Sequence, residues 1–195
     1  MNSALFVNIF RFILLLAVQI IIFNNMNFLG YISPYPYLLF IILYPVNSNK
    51  SGLLAASFFL GLTMDLFSNS GGFHTTACLI LAYYRPYLFK FAFGLSYEYQ
   101  TIKLNDVLTP ERFSFILLSV IIHHIVLFTL EAFKFTLILD ILLRTVLSSV
   151  FTLILCIIII YLTKPNKKWK KYCSLQWSLL RRHYWYYAFS IYRLS

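Results

Sequence analysis

The chain has 195 residues, 61% of them apolar and only 11% charged, with a formal net charge of +10. A soluble domain is roughly half apolar and about a quarter charged, so this balance excludes an ordinary soluble protein and describes a chain built for lipid. Several apolar runs are spread along the sequence, which excludes a secreted protein carrying only a cleavable signal and predicts an all-α, multi-pass membrane protein.

The first run, 5–23, is interrupted only by Asn8, Arg11 and Gln19, with Arg11 close enough to its start to snorkel toward the headgroups. The next, 28–46, is punctuated by Pro34, Pro36 and Pro45. Proline cannot continue a helix ladder unaided, so a short or kinked span is expected there. Run 51–67 contains Asp65 near its end and is followed, across 68–72, by 73–93, which carries Arg85 and Pro86 in its second half. These two predict a helical hairpin. Runs 113–133 and 135–162 complete six expected crossings within a single transmembrane domain, 1–163.

Basic residues orient the chain. With six crossings, one side receives Lys50, then Arg85, Lys90, Lys103 and Arg112, then the cations beyond Lys164, while the other receives essentially Lys134. The positive-inside bias therefore places both termini in the cytoplasm and Asp65 and His74 toward the opposite face. The tail 164–195 mixes basic residues with Trp169, Trp177 and Trp185. If helical, it presents Lys171, Arg182 and Arg193 as one stripe suited to anionic membrane lipid. Nucleic acid is not an expected partner, because the cations flank the spans as topology requires.

A carboxylate in an apolar helix disfavours insertion by roughly 2.5–3.5 kcal/mol, so Asp65 needs a partner or a cavity. His74 lies nine residues on, across a turn containing Gly71 and Gly72, which permit positive φ and close backbone approach. The pair reads either as caps that fix the hairpin or as a proton relay or substrate-ligating pair; the lack of a second acid favours the caps. Asp140 and Arg144, four apart in the last run, share a helix face and predict an intramembrane ion pair, with pairing to a neighbouring helix as the other option. His123 and His124 diverge by about 100° around a helix and so do not easily hold one ion together. Glu131 falls near the outer end of its run. Cys78, Cys156 and Cys173 have neither disulfide nor zinc spacing and read as free thiols. No nucleophile motif, phosphate loop or metal signature is present, and the chain is expected to be non-enzymatic, with no catalytic residues, metal or cofactor.

Several short motifs, in order, resemble the MreD family of bacterial rod shape-determining proteins. They are Asn8-Ile9-Phe10-Arg11-Phe12, Gly30-Tyr31-Ile32-Ser33-Pro34, Gly61-Leu62-Thr63-Met64-Asp65, Gly72-Phe73-His74, Arg85-Pro86, and His123-His124 through Glu131-Ala132-Phe133. The resemblance covers about 8–162 and not the tail. It implies a bacterial inner-membrane protein of the elongation machinery, similar in fold to the substrate-binding subunits of energy-coupling-factor vitamin transporters. It also implies MreC as partner, alongside MreB, RodA and its transpeptidase. The family lends no catalytic set; Gly61, Asp65, Gly72 and His74 carry over only as motif positions. The resulting expectation is a scaffold that binds MreC and supports regulation of cell shape and lateral peptidoglycan synthesis. The alternative is a membrane binding subunit for a vitamin or lipid-linked precursor.

Overall fold

The computed structural model describes residues 3–24, 32–46, 48–94, 108–132 and 138–163. The chain divides after Leu162 into Met1–Leu162 and Thr163–Ser195. The expected basic and aromatic tail, 164–195, lies outside the described residues, as does Lys134.

Among the described residues the structure is helical and contains no strand. Helix α1 (Ser3–Val18) runs on through a widened π turn, Gln19–Phe23. A 3-10 turn, Pro36–Leu38, leads into the short α2 (Leu39–Ile42), followed by α3 (Lys50–Ser68), α4 (Phe73–Phe93), α5 (Pro110–Ala132) and α6 (Ile138–Leu162). Helices α3 to α6 pack in chain order, each on the next, while α1 lies against the 36–42 segment and α3.

Four helical stretches are long and apolar enough to cross a membrane: Phe6–Phe23, Lys50–Ser68, Pro110–Ala132 and Ile138–Leu162. Helix α4 has the length, at 21 residues, but Tyr83, Tyr84, Arg85, Tyr87 and Lys90 dilute its apolar character. The proline-punctuated segment is not one continuous helix. Residues 32–35 are non-helical and only the 36–42 stretch coils, because Pro34 and Pro36 lack the N–H groups a longer ladder needs.

That two-turn stretch forms the centre of the core. Tyr37, Leu38, Leu39, Phe40, Ile41 and Ile42 are all buried, with Leu15, Leu60, Met64, Leu81, Phe115 and Val120 among the side chains around them. Helix α6, by contrast, presents Leu139, Leu142, Val146, Val150 and Ile154 outward. Such apolar outer faces suit hydrocarbon, and the segment buried behind them can break its helix because protein, not lipid, surrounds it.

Candidate functional site

Asp65 sits in the last turn of α3, where it serves two helix ends at once. Its backbone carbonyl accepts from the N–H groups of Asn69 and Ser70. Asn69 takes the left-handed conformation, φ 51° and ψ 41°, which suits an asparagine closing a helix. The Asp65 carboxylate meanwhile reaches the start of α4: Oδ1 accepts from His74 N–H at 2.9 Å and Ser70 Oγ at 2.6 Å. Oδ2 accepts from Thr75 N–H at 2.9 Å and Thr75 Oγ1 at 2.5 Å.

An N-cap side chain ordinarily bonds the second or third N–H of its own helix. The α4 N-cap is Gly72, which has no side chain and sits at φ 103°, a conformation that favours glycine. Asp65 therefore supplies the cap from the preceding helix, and its negative charge faces the positive end of the α4 dipole. Gly61, one turn earlier, makes this reach possible. A Cβ there would lie 2.4 Å from Thr75 Cα and 2.8 Å from the His74 carbonyl oxygen, so only glycine admits so close a crossing.

The structure brings His74 to Asp65 through its backbone, while its ring turns inward. His74 Nδ1 lies 3.0 Å from the Tyr37 hydroxyl, which lies 3.0 Å from His123 Nε2 on α5. Cys78 Sγ approaches the same hydroxyl at 3.9 Å. His123 Nδ1 has no partner among the described residues. A bare imidazole lone pair is less costly than an orphaned N–H, so the network assigns His123 Nε2–H to donate to Tyr37, whose hydroxyl donates to His74 Nδ1.

His124 turns the other way. Its Nδ1 is 2.8 Å from the Val120 carbonyl and so bears the proton, leaving Nε2 to accept from the Thr152 hydroxyl at 3.2 Å. Thr152 Oγ1 also accepts from Tyr35 N–H, Ser148 Oγ accepts from Ser33 N–H, and Gln19 Nε2 donates to the Pro34 carbonyl, at 3.2 Å in each case. The non-helical backbone at 33–35 is thus satisfied by side chains of α6 and the π turn, as irregular backbone at membrane depth requires. At the other end of the segment, Arg11 donates to the Leu43 carbonyl at 3.1 Å, and Arg85 donates to the carbonyls of Ile42, at 3.3 Å, and Tyr44. Two guanidinium groups, from α1 and α4, thereby close the carboxyl end of α2, where cations are favoured.

Asp140 and Arg144 do not pair with each other; of the two pairings expected of Arg144, the structure shows the one to a neighbouring helix. Arg144 pairs across helices with Glu131 of α5 at 3.9 Å and lies over the Phe128 ring, 5.6 Å from its centroid. Asp140 is exposed in the first turn of α6, where a carboxylate suits the helix dipole without an arginine.

No sequence motif singles out Tyr37, Thr152, Ser148 or the hydrogen-bonding role of Gln19. One signal was available for α6: Thr145, Ser148, Ser149, Thr152 and Cys156 recur at helical spacing and mark a polar, buried stripe. Nothing local marked Tyr37. Among the described residues, no group of three or more His, Cys, Asp or Glu is arranged to hold a metal ion. No family model, curated protein or solved structure matches the chain.

Proposed function

We propose that this chain is a non-enzymatic membrane scaffold of the MreD kind, binding MreC through a helix surface and biasing which arrangement of MreC the cell-wall synthases meet. A few kcal/mol of differential affinity is enough for such a shift. In this reading the protein crosses the bacterial inner membrane six times with both termini in the cytoplasm. Helix α4 and the buried 32–46 segment then supply the two crossings beyond the four apolar helices. In the same reading the fold resembles that of an energy-coupling-factor substrate-binding subunit.

The observation that carries the scaffold reading is the state of Asp65. Both carboxylate oxygens are engaged by Ser70, His74 and Thr75, so the acid works as a structural cap rather than waiting for a substrate. The motif positions Gly61, Asp65, Gly72 and His74 all serve the α3–α4 joint. Arg11 and Arg85, also within the resembling motifs, anchor one buried segment.

The runner-up, a small-molecule binding subunit, draws support from the broken backbone at 33–35, since transporters use discontinuous helices around midplane sites. Against it, Tyr37 fills the space between His74 and His123. Extraction of the tagged chain in mild detergent, with identification of co-purifying proteins, separates the two. Recovery of MreC is expected. Recovery of an ATPase module without MreC overturns the scaffold reading in favour of transport.

A further inference from the structure

Helix α4 carries a surface that none of its roles above uses. Tyr83, Tyr84 and Tyr87 are exposed by 60%, 49% and 60%, and Phe91, one turn further along α4, by 77%. The three tyrosine rings contact one another, with centroids 5.5 to 6.4 Å apart. Phenol hydroxyls facing hydrocarbon would lack hydrogen-bond partners, so the depth of this cluster decides what it meets.

Contacts to Arg85, in the middle of the cluster, set that depth. Arg85 bonds the Tyr44 carbonyl, the Tyr44 hydroxyl adjoins Gly52 of α3, and Arg11 of α1 bonds neighbouring Leu43. Lys50, exposed at the start of α3, is two residues from Gly52. Exposed Lys90 follows Phe89, whose ring stacks on Phe115 of α5 at 4.1 Å, placing Lys90 near the level of Arg112. The tyrosines therefore share a layer with the basic end of the bundle.

The polar marks at the opposite end are Ser68, bonded to Asn24, and the Glu131–Arg144 pair. At about 1.5 Å per residue, Lys50 to Ser68 spans about 27 Å and Arg112 to Glu131 about 28 Å. Both are close to the ~30 Å hydrocarbon thickness. One boundary of the bilayer then falls at the tyrosine layer.

We infer that Tyr83, Tyr84 and Tyr87, with Lys90 and Lys50, form a lipid-docking face that binds anionic phospholipid headgroups at the basic end of the bundle. The hydroxyls donate to phosphate oxygens while the rings lie against the upper acyl chains, and the two ammonium groups supply the charge preference. Exposed Glu111 also lies at this end but is outnumbered by the cations. This assignment is independent of the MreD reading.

The full chain, reconstituted in vesicles of equal phosphatidylcholine and phosphatidylglycerol and released into detergent, is examined by native mass spectrometry for retained lipid. Retained phosphatidylglycerol is expected to exceed phosphatidylcholine, and Lys90→Gln to lower that excess by about fivefold. Replacing all three tyrosines by phenylalanine keeps ring packing and charge, and is expected to lower it about twofold or more. The tail is common to all variants, so differences between them report this face alone. A parental ratio near one, or an unchanged ratio in Lys90→Gln, overturns the assignment. Lys90 is exposed, so its variant remains informative if the triple replacement fails to fold.

Discussion

The carboxylate of Asp65 caps a helix that it does not belong to, holding Thr75 of α4 by both its backbone N–H, at 2.9 Å, and its hydroxyl, at 2.5 Å. The same residue's carbonyl closes its own helix, so one aspartate joins the end of α3 to the start of α4. The α3–α4 hairpin is consequently a rigid corner rather than two helices linked by a free turn.

Asp65→Asn tests that corner. Each oxygen of the aspartate faces two donors, so either orientation of an amide turns its NH2 group against a backbone N–H. Hydrogen bonds to a charged group are worth about 1.5–3 kcal/mol, and a loss of at least that size is expected. Thermal unfolding in detergent measures it; a midpoint equal to the parent's would mean the cap contributes little. On the scaffold reading, co-purification with MreC weakens as well.

Gly61→Ala should be nearly as damaging although it adds one methyl. The new Cβ would lie 2.4 Å from Thr75 Cα, and backbone atoms cannot step aside without parting the two helices. Overpacking of this kind costs about 1–3 kcal/mol. Alanine at Gly52 is the control, since a Cβ there meets only the Tyr44 hydroxyl at 3.2 Å, and its unfolding midpoint is expected to move less.

Arg85→Met removes the donors for the carbonyls of Ile42 and Tyr44 while keeping an apolar stem of similar reach. Each buried acceptor left unmet costs about 1–3 kcal/mol. The loss should be local. Hydrogen exchange is expected to quicken through the 36–42 segment while mid-α5 amides stay protected; equal quickening of both would show that the arginine supports the whole fold.

Tyr37→Phe leaves ring packing intact and removes the one hydroxyl shared by His74 and His123. Both buried imidazoles then lose a partner, and destabilisation of about 1–3 kcal/mol is expected. The double variant with His123→Leu should recover part of it, because an apolar side chain needs no partner. If the double variant is less stable than Tyr37→Phe alone, the hydroxyl is not what His123 requires.

Arg144→Gln should change little. Its pair with Glu131 is 3.9 Å long and both side chains are about a third to a half exposed, conditions under which ion pairs contribute about 0–1 kcal/mol. A shift in unfolding midpoint as large as that of Asp65→Asn would contradict this ranking.

Membrane residence and helical class were legible in the sequence, because the cost of burying polar groups in hydrocarbon dictates composition and run length directly. The hairpin around Asp65 was legible too: a lone acid at the end of one run, a glycine turn and the start of another are all local features. Three prolines marked 28–46 as irregular for the same reason. What the segment does once broken was decided by tertiary structure alone. Ser148 and Thr152 on α6, Gln19 before it, and Arg11 and Arg85 from two other helices meet its backbone only after the bundle has formed.

The Asp140–Arg144 expectation shows the same limit from the other side. Spacing by four residues places two side chains on one face, but an arginine that can reach an acid on the next helix is not held to its own. By itself the sequence determined the solvent, the helices and the acid that must be satisfied, since those follow from the chemistry of neighbouring residues. Only the packed structure decided which donors satisfy it and which buried hydroxyl joins His74 to His123. Such partners lie dozens of residues apart, and no local pattern records their distance in space.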